Sequence, residues 1–329
     1  MALLPIEIEI LRHAKRVDAV LEELAPRDGP PFLAEPAWYH LDTGGKRIRP
    51  ALCLLACEAL GGDSEKALHF AAAVELLHNM LLVHDDIEDG DAVRRNKPTV
   101  WRAYGLANAI NVGDYIFACA FRAVMASPLP EGVRMRLLDV FLATCERTIE
   151  GQALDINARG NARFTVEDYL RMAERKTGRY LVLGMVGGAI IADAPEVTLQ
   201  CLQNLGDSLG PAFQVRDDLI DLTTGKGRGV RGSDIAEGKA SILYAHALAQ
   251  SSPAESERLL EIMKKPREET TEADVAWVLG LYERCGSIRF AEEAAEKLIG
   301  DAQRALDYLP AEQQPIFRRI VSYIAERTS

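Results

Sequence analysis

The chain has 329 residues, a net charge of −11 and 48% apolar residues, enough for one large domain or two ordinary ones. Only 6% of the residues are aromatic, and the abundance of Ala and Leu favours helices over sheets. The acidic balance excludes a general nucleic-acid binder. An anionic ligand would therefore be held by local arginines and lysines or by a metal.

Nothing in the composition indicates export or a membrane anchor. The six cysteines form no C-x-x-C pair and have no His at zinc spacing, which fits a reducing compartment. Glu7 and Glu9 interrupt the apolar N-terminus, so no signal peptide is expected. The longest nearly apolar run, 181–192, has 12 residues and is too short to span a bilayer. The sequence predicts a soluble, cytoplasmic protein.

Apolar residues recur at helical spacing along most of the chain. The predicted helices cover residues 6–24, 51–60, 65–89, 99–104, 107–126, 131–158, a segment capped by Thr165, 177–192 and 195–222, with at least four more after 239. Ser64 is the expected N-cap of the helix over 65–89, which is apolar nearly all round and should be buried. The glycines within 177–192 predict close helix packing. We expect an all-α fold in a single domain over residues 1–329.

Proline and glycine mark the predicted loops between these helices. The segment 26–36 is rich in proline, and Asn96 to Pro98 breaks the chain. Residues 223–238 hold five glycines and the cations Lys226, Arg228 and Arg231, which predicts a mobile basic loop.

Two acidic clusters end two of the apolar helices. Asp85 and Asp89 are i, i+4 neighbours with Asp86 beside them, and Asp217, Asp218 and Asp221 repeat the arrangement. Crowded carboxylates raise one another's pKa values, and helix C-termini already carry partial negative charge. A solvated acidic helix end explains one cluster, but the repeat favours two walls of one cavity joined by Mg²⁺, which accepts carboxylate oxygens and phosphates.

Basic residues accompany both clusters. Arg94 and Arg95 follow the first, Lys239 follows the second, and Lys46 and Arg49 stand after a Gly-Gly turn. Each alone would be a surface cation, but together they fit a pocket for two anionic groups.

Several further polar residues align with the clusters along the helices. His78 shares the face of Asp85, Gln214 shares that of Asp217, and Lys176-Thr177 precedes the glycine-rich helix. Glu150, Gln152 and Asp155 form another polar group, for which a solvated face is an equally good interpretation.

Together these residues resemble the motifs of the trans-isoprenyl diphosphate synthases. The matching segments are Gly44-Gly45-Lys46-Arg47-Ile48-Arg49-Pro50, His78, His84-Asp85-Asp86-Ile87-Glu88-Asp89 with Arg94-Arg95, Lys176-Thr177, and Phe213-Gln214-Val215-Arg216-Asp217-Asp218-Leu219-Ile220-Asp221 with Gly238-Lys239. They follow the family's order and spacing, so the resemblance covers nearly the whole chain. It implies a bundle of mostly antiparallel helices around a central cavity, and a homodimer.

The resemblance also implies a reaction and a role for each residue. The reaction is head-to-tail condensation of isopentenyl diphosphate with dimethylallyl, geranyl or farnesyl diphosphate. By analogy, about three Mg²⁺ ions bind Asp85, Asp89 and Asp217, with Asp86, Asp218 and Asp221 in support. The implied contacts of the allylic diphosphate are Arg94, Lys176 and Lys239, those of isopentenyl diphosphate are Lys46, Arg49, His78 and Arg95, and those of the allylic carbon are Thr177 and Gln214.

The sequence departs from the family pattern at two places. Asn96 stands where a glycine is usual, and the loop 227–232 replaces a Gly-Lys-x-x-Gly segment. Arg228 or Lys226 is then the expected diphosphate contact in that loop, which should close as a lid.

The residues before the first aspartate predict the product length, since in this family the product grows past them. Met80 and Leu81 lie one turn deeper than Asp85 and are intermediate in size and flexible. We expect a C20 product, geranylgeranyl diphosphate, with C15 (farnesyl) and C25 as neighbours; the helix near Phe117 and Phe121 is an alternative floor.

Three rival interpretations remain. A class I terpene cyclase shares the first acidic cluster but usually lacks the Gly-Gly-Lys-Arg segment and lines its pocket with aromatics. A catalytically silent partner of a heteromeric synthase tends to lose aspartates that this chain keeps. A helical metal-dependent phosphohydrolase would be expected to supply several His ligands, which the six scattered histidines of this chain do not provide.

Overall fold

The structure, a computed structural model, describes residues 5–223 and 232–325. Within these ranges the regular structure is helical apart from one short hairpin, which confirms the all-α prediction. The α-helices are α1 (Pro5–Leu24), α2 (Ala34–Leu41), α3 (Ile48–Ala59), α4 (Ser64–Glu88), α5 (Val100–Tyr104), α6 (Leu106–Ala126), α7 (Glu131–Ala158), α8 (Val166–Ala173), α9 (Arg179–Ile191), α10 (Glu196–Asp221), α11 (Ser233–Ala236), α12 (Ile242–Gln250), α13 (Pro253–Met263), α14 (Glu272–Arg284), α15 (Ser287–Ala305) and α16 (Gln314–Ala325). The hairpin strands are β1 (Val93–Arg94) and β2 (Lys97–Pro98).

Two details of the N-terminal part were predicted wrongly. Helix α2 begins inside the segment that was expected to be a loop, because Pro36 falls in its first turn, where a backbone N–H has no intrahelical partner to lose. The N-cap of α4 is Asp63, whose side chain accepts a 3.0 Å hydrogen bond from the N–H of Glu65, and Ser64 is the first helical residue.

The β1–β2 hairpin was not predicted either. Its strands have two residues each, too few for an alternating pattern to be visible in the sequence. The turn residues Arg95 and Asn96 have positive φ values of 50° and 63°, as a two-residue hairpin turn of type I′ requires. Asparagine tolerates this backbone better than most residues other than glycine, so the departure from the family's glycine at position 96 preserves the turn.

The chain forms two compact units. The first comprises residues 1–143, 182–202 and 311–320, and the second comprises 144–181, 203–310 and 321–329. The divisions fall inside α7, α9, α10 and α16, apart from the one at 310. A single domain over residues 1–329 therefore remains a prediction.

Helix α4 is the core of the first unit and packs against α1, α3 and α6. Every residue from Phe70 to Leu77 is buried, so the middle of the helix is buried on all faces, as its sequence predicted, whereas Leu81 and Leu82 are half-buried. The predicted close packing of the glycine-rich segment is confirmed on α9: a Cβ at Gly188 would lie 2.3 Å from the carbonyl oxygen of Cys53, and one at Gly187 would lie 1.9 Å from the ring of Phe70.

The second unit packs α12 against α8, α13, α14 and α15. Helix α8 begins with a capping box, in which the Thr165 hydroxyl and the Asp168 carboxylate exchange hydrogen bonds with each other's backbone N–H groups. Three fully buried tyrosines, Tyr169, Tyr244 and Tyr282, lie in the core of this unit.

Helices α4 and α6 are long and apolar enough to cross a membrane by length and composition alone, a property that the longest apolar run in the sequence did not indicate. Buried core helices of globular proteins meet the same criterion, and α4 has 67% of its apolar window buried. The corresponding fraction for α6 is 44%, and Leu106, Ile110 and Met125 are exposed on it.

Candidate active site

The first acidic cluster closes helix α4 in the first unit. Asp89 is the C-cap residue, and its N–H donates a 2.8 Å hydrogen bond to the carbonyl oxygen of Asp85. Asp85 and Asp89 are partly exposed, whereas Asp86 is 1% exposed. The three aspartates therefore do not share one environment, although the sequence gives them one motif.

Asp86 accepts a hydrogen bond from the β1–β2 hairpin. One of its carboxylate oxygens accepts a 2.6 Å hydrogen bond from Nε of Arg94. Burial raises the pKa of Asp86 to about 6, against the opposing effect of the Arg94 guanidinium. The other oxygen, Oδ2, is buried and has no hydrogen-bond partner among residues 5–223 and 232–325.

Arg95 lies over the glycine turn that precedes α3. Its guanidinium donates a 3.3 Å hydrogen bond to Oγ1 of Thr43, and a Cβ at Gly45 would lie 3.1 Å from both of its terminal nitrogens. The Gly-Gly turn and the residues after the first acidic cluster are thus neighbours in this unit, which the sequence interval between them does not reveal.

His78 lies among several of the predicted cations. Burial lowers the pKa of His78 well below its usual range, and Arg49, Arg95, His40 and Arg94 lower it further. The imidazole is therefore neutral near pH 7. The structure places two further predicted isopentenyl diphosphate contacts, Arg49 and Arg95, near the half-buried imidazole of His78, while the fourth predicted contact, Lys46, is exposed.

His40 was not predicted as a site residue, because it belongs to none of the motifs. It is 2% exposed on α2, the helix that was expected to be a loop. Burial lowers the pKa of His40 to about 3, with Arg94, Arg95 and Arg47 acting in the same direction. The available signal was helix α2 itself, since recognising it would have placed a histidine in a buried position next to the Gly-Gly turn.

The second acidic cluster, at the end of α10, shows the same division. Asp217 is partly exposed. Asp218 is buried, and its Oδ2 accepts hydrogen bonds from the Tyr169 hydroxyl at 2.7 Å and from the N–H of Ile242 at 3.4 Å.

Asp221 is fully buried at the last position of α10. Its carboxylate accepts hydrogen bonds from the Ser233 hydroxyl at 2.5 Å and from the N–H of Asp234 at 3.1 Å. Asp221 therefore fixes the first residues of α11, a role that the sequence motif alone does not distinguish from metal binding.

Lys239 lies among acidic residues of the second unit. Its Nζ is 3.2 Å from Oε2 of Glu237 and 3.7 Å from Oδ1 of Asp234. Glu237 also pairs with Arg267 at 3.3 Å. Neither acid was predicted from the sequence, although both stand within five residues of Lys239. The other expected basic contact in this region, Arg228, lies outside the described residues.

Lys176 and Thr177 occupy one turn of π-helix, Glu174–Gly178, between α8 and α9. Nζ of Lys176 donates a 2.6 Å hydrogen bond to Oδ2 of Asp155, so the polar group on α7 contacts the predicted site residue. The Thr177 hydroxyl donates a 3.5 Å hydrogen bond to Oε1 of Gln214. The two residues predicted to face the allylic carbon are therefore adjacent.

Glycines on two helices allow that turn to sit where it does. A Cβ at Gly151 on α7 would lie 2.1 Å from the backbone nitrogen of Lys176, and one at Gly210 on α10 would lie 2.4 Å from Cα of Gly178. Single π-helical turns are found frequently at functional sites, and here backbone contacts from both sides fix its position.

The aspartates have suitable chemistry for magnesium. Among the described residues, no three His, Cys, Asp or Glu side chains could together hold one metal ion. Mg²⁺ needs only one or two protein carboxylates, because water and substrate phosphates complete its shell. Asp85, Asp89 and Asp217 are partly exposed, and Asp86 is a fourth carboxylate, whose buried Oδ2 accepts no hydrogen bond from the described residues.

Comparison with known proteins gives a consistent result. The family model described as polyprenyl synthetase matches residues 30–281. The geranylgeranyl diphosphate synthase of Methanosarcina mazei is 35% identical over 99% of both chains. The geranylfarnesyl diphosphate synthase of Natronomonas pharaonis is 32% identical over 98% of both.

A solved structure has the same fold. The geranylgeranyl pyrophosphate synthetase of Pyrococcus horikoshii superposes with a TM-score of 0.89 at 36% identity, covering 98% of each chain. The similarity extends through both units rather than being confined to the motif segments.

Proposed function

Because the chain belongs to the polyprenyl synthetase family, we propose that it condenses isopentenyl diphosphate head-to-tail with an allylic diphosphate and releases geranylgeranyl diphosphate. The chain is a prenyltransferase of the trans-polyprenyl diphosphate synthase class. The observation that carries the assignment is the grouping of His78 with Arg49, Arg94 and Arg95 in the unit that also holds Asp85 and Asp89. Cations for a diphosphate and carboxylates for a metal thus occur in one compact unit.

The aspartates are assigned by their burial and partners. Asp85, Asp89 and Asp217 are the proposed magnesium ligands because their carboxylates are partly exposed. Asp86, Asp218 and Asp221 support them through the hydrogen bonds to Arg94, Tyr169 and Ser233. When bound, Mg²⁺, at about three ions per site, supplies positive charge to the departing diphosphate.

The remaining residues bind and orient the two substrates. Lys46, Arg49, His78 and Arg95 are the proposed contacts of isopentenyl diphosphate. Arg94, Lys176 and Lys239 are the proposed contacts of the allylic diphosphate. Neutral His78 can donate a hydrogen bond to a phosphate oxygen without exchanging a proton with it.

The reaction then follows from charge separation. The allylic C–O bond breaks, and its electron pair leaves with the diphosphate. The isopentenyl double bond forms the new C–C bond, and a proton passes to the released diphosphate. The oxygens of Thr177 and Gln214 face the allylic cation as neutral dipoles, which stabilise positive charge without forming a bond to it.

The proposed C20 product rests on both the relatives and one residue. The compared synthases are named for geranylgeranyl and geranylfarnesyl diphosphates. Met80, five residues before Asp85, is 4% exposed and would limit the product chain one turn below the metal ligands. A C15 or C25 product is the alternative.

The protein is further proposed to act as a cytoplasmic homodimer with each chain folded as one domain. Leu106, Ile110 and Met125 leave apolar surface exposed on α6, and a second copy of the chain would cover it. Size-exclusion chromatography with light scattering measures this state directly, and a monomer would contradict the proposal.

One assay tests the activity. The protein is incubated with Mg²⁺, isopentenyl diphosphate and each of dimethylallyl, geranyl and farnesyl diphosphate, and the dephosphorylated products are identified by gas chromatography and mass spectrometry. Linear geranylgeraniol is expected. Cyclic hydrocarbons would instead identify a class I terpene cyclase, and no turnover with any starter would identify a silent partner subunit.

A further inference from the structure

A buried ion pair lies behind the proposed isopentenyl diphosphate site. Arg47 stands between the two predicted contacts Lys46 and Arg49, but its own side chain turns into the protein. Its Nη1 donates a 2.6 Å hydrogen bond to Oε1 of Glu75, and the two side chains are 9% and 4% exposed. A second nitrogen, Nη2, donates to the carbonyl oxygen of Leu41 at 3.2 Å.

The backbone of Arg47 is itself unusual. Arg47 is the N-cap residue of α3 and has left-handed dihedrals of φ 45° and ψ 38°. A non-glycine residue keeps this conformation only when its surroundings enforce it. Here the contacts to Glu75 and Leu41 enforce it, and the conformation in turn sets the direction in which the chain enters α3 from Lys46.

Glu75 connects the ion pair to the part of α4 that carries Asn79 and His78. The Asn79 amide donates to Oε1 of Glu75 at 2.9 Å and to its carbonyl oxygen at 2.8 Å. Asn79 follows His78 directly, and its side chain opposes the lowering of the pKa of His40. Glu75 is therefore a buried carboxylate one turn from His78, close to a cluster that must attract an anion.

We propose that Arg47 is a positioning residue for isopentenyl diphosphate: its pair with Glu75 fixes the turn that carries Lys46 and Arg49, and it neutralises the carboxylate that would otherwise repel the diphosphate. The inference rests on the proposed function for the identity of the ligand. Burial alone would lower the pKa of Arg47, but Glu75 and Asp18 outweigh that effect and raise it. The guanidinium thus stays charged.

Loss of the cation should do more harm than loss of the carboxylate. Arg47→Met leaves the buried carboxyl of Glu75 without its cation and releases the turn that carries Lys46 and Arg49, so binding of isopentenyl diphosphate should weaken roughly tenfold. Glu75→Gln keeps an oxygen for the guanidinium and removes the repulsion, so it should change binding about threefold or less. The double variant should recover at least about threefold relative to Arg47→Met, because the lone carboxylate is gone.

The matched control is Asp18→Asn. Asp18 also accepts a hydrogen bond from Arg47, at 3.1 Å, but its side chain is 53% exposed. An exposed ion pair contributes little, so this variant should leave the KM values unchanged.

The measurements are the KM for isopentenyl diphosphate, the KM for geranyl diphosphate, kcat, and calorimetric titration of isopentenyl diphosphate alone. We expect Arg47→Met to change the KM and the dissociation constant for isopentenyl diphosphate and to leave the KM for geranyl diphosphate unchanged. Equal changes in both KM values, a change in unfolding temperature alone, or no recovery in the double variant would overturn the proposal. If Arg47→Met does not fold, Arg47→Lys replaces it: a rise of about threefold in the KM for isopentenyl diphosphate alone is expected, and no rise overturns the proposal.

The titration separates this proposal from the proposed function. A wild-type protein that condenses the substrates, with variants that bind isopentenyl diphosphate normally, refutes only the role of Arg47. A wild-type protein without turnover refutes the condensation, and the titration still tests whether Arg47 governs diphosphate binding.

Discussion

Gly151 on α7 lies directly against Lys176, such that a Cβ on the glycine would be 2.1 Å from the backbone nitrogen of the lysine. The contact is between backbones, so no side-chain movement can relieve it. The π-helical turn that carries Lys176 and Thr177 can therefore occupy this position only because residue 151 of α7 has no side chain. The position of two proposed site residues therefore depends on a glycine that has no proposed role in binding substrate.

Gly151→Ala should consequently impair catalysis. The added methyl group must displace the π-helical turn, and a shift of about 1 Å in a positioned group can cost about 100-fold in rate. We expect kcat to fall by roughly ten- to a hundredfold in the standard condensation assay. Gly132→Ala is the matched control, since it lies on the same helix with open space around its Cβ position. Equal activity of the two variants would contradict the role of this contact.

Metal binding by the first acidic cluster can be tested with two variants that each remove one negative charge from the end of α4. Asp89→Asn should lower kcat by about 10²–10³, because it removes a proposed Mg²⁺ ligand at the leaving group. Glu88→Gln removes the same charge one residue away from an exposed position and should change kcat less than about threefold. The Mg²⁺ dependence of the rate is measured for both. Parallel losses would show that the total charge of the helix end matters, rather than a ligand at Asp89.

The sequence predicted the helices well where the apolar periodicity was long. Apolar periodicity predicted the core helix α4 and the long helices α7 and α10. The placement of aspartates at two helix C-termini, where negative charge is costly, indicated a functional role for both acidic clusters. Helix α2 was missed because its first turn lies in the proline-rich segment 26–36, and the β1–β2 hairpin was missed because its strands are two residues long.

The sequence predicted which residue types form the site. It did not predict which aspartates are exposed and which are buried in hydrogen bonds to neighbouring residues. The motif presents Asp85 and Asp86 alike, and only the contact of Asp86 with Arg94 separates them. The Arg47–Glu75 pair joins residues 28 positions apart, and two of the three arginines that act on His40, Arg94 and Arg95, are distant from it in the sequence. Such contacts are set by tertiary packing, which no local pattern encodes.

His40 gives the stability a specific dependence on pH. Its pKa in the folded protein is lowered to about 3 from the ordinary value of 6.5, first by burial and then by three arginines. The folded state therefore binds fewer protons than the unfolded state between these values. The resulting stability is present above pH 6.5 and is lost as the pH falls toward 3.

His40→Gln should flatten that dependence. Between pH 7 and pH 4.5 the wild type should lose about 2–3 kcal/mol more of its unfolding free energy than the variant does. Urea unfolding at the two pH values and a fixed protein concentration measures the difference. His69→Gln, a half-buried histidine of α4 in the same unit, is the control. A loss in His40→Gln equal to that of the wild type would show that His40 is already protonated at pH 4.5 without cost.

Met80 provides the test of product length. It lies five residues before Asp85, about 7.5 Å along the helix, and is buried. Met80→Ala should open space for further isoprene units and move the main product from C20 to C25 or longer, at a cost in stability of about 2–5 kcal/mol. Met135→Ala, at a half-exposed methionine of α7, should leave the products unchanged. If Met80→Ala still gives C20, the floor is set deeper in the same unit, where the rings of Phe117 and Phe121 pack edge to face at 4.6 Å, and Phe121→Ala should then lengthen the product.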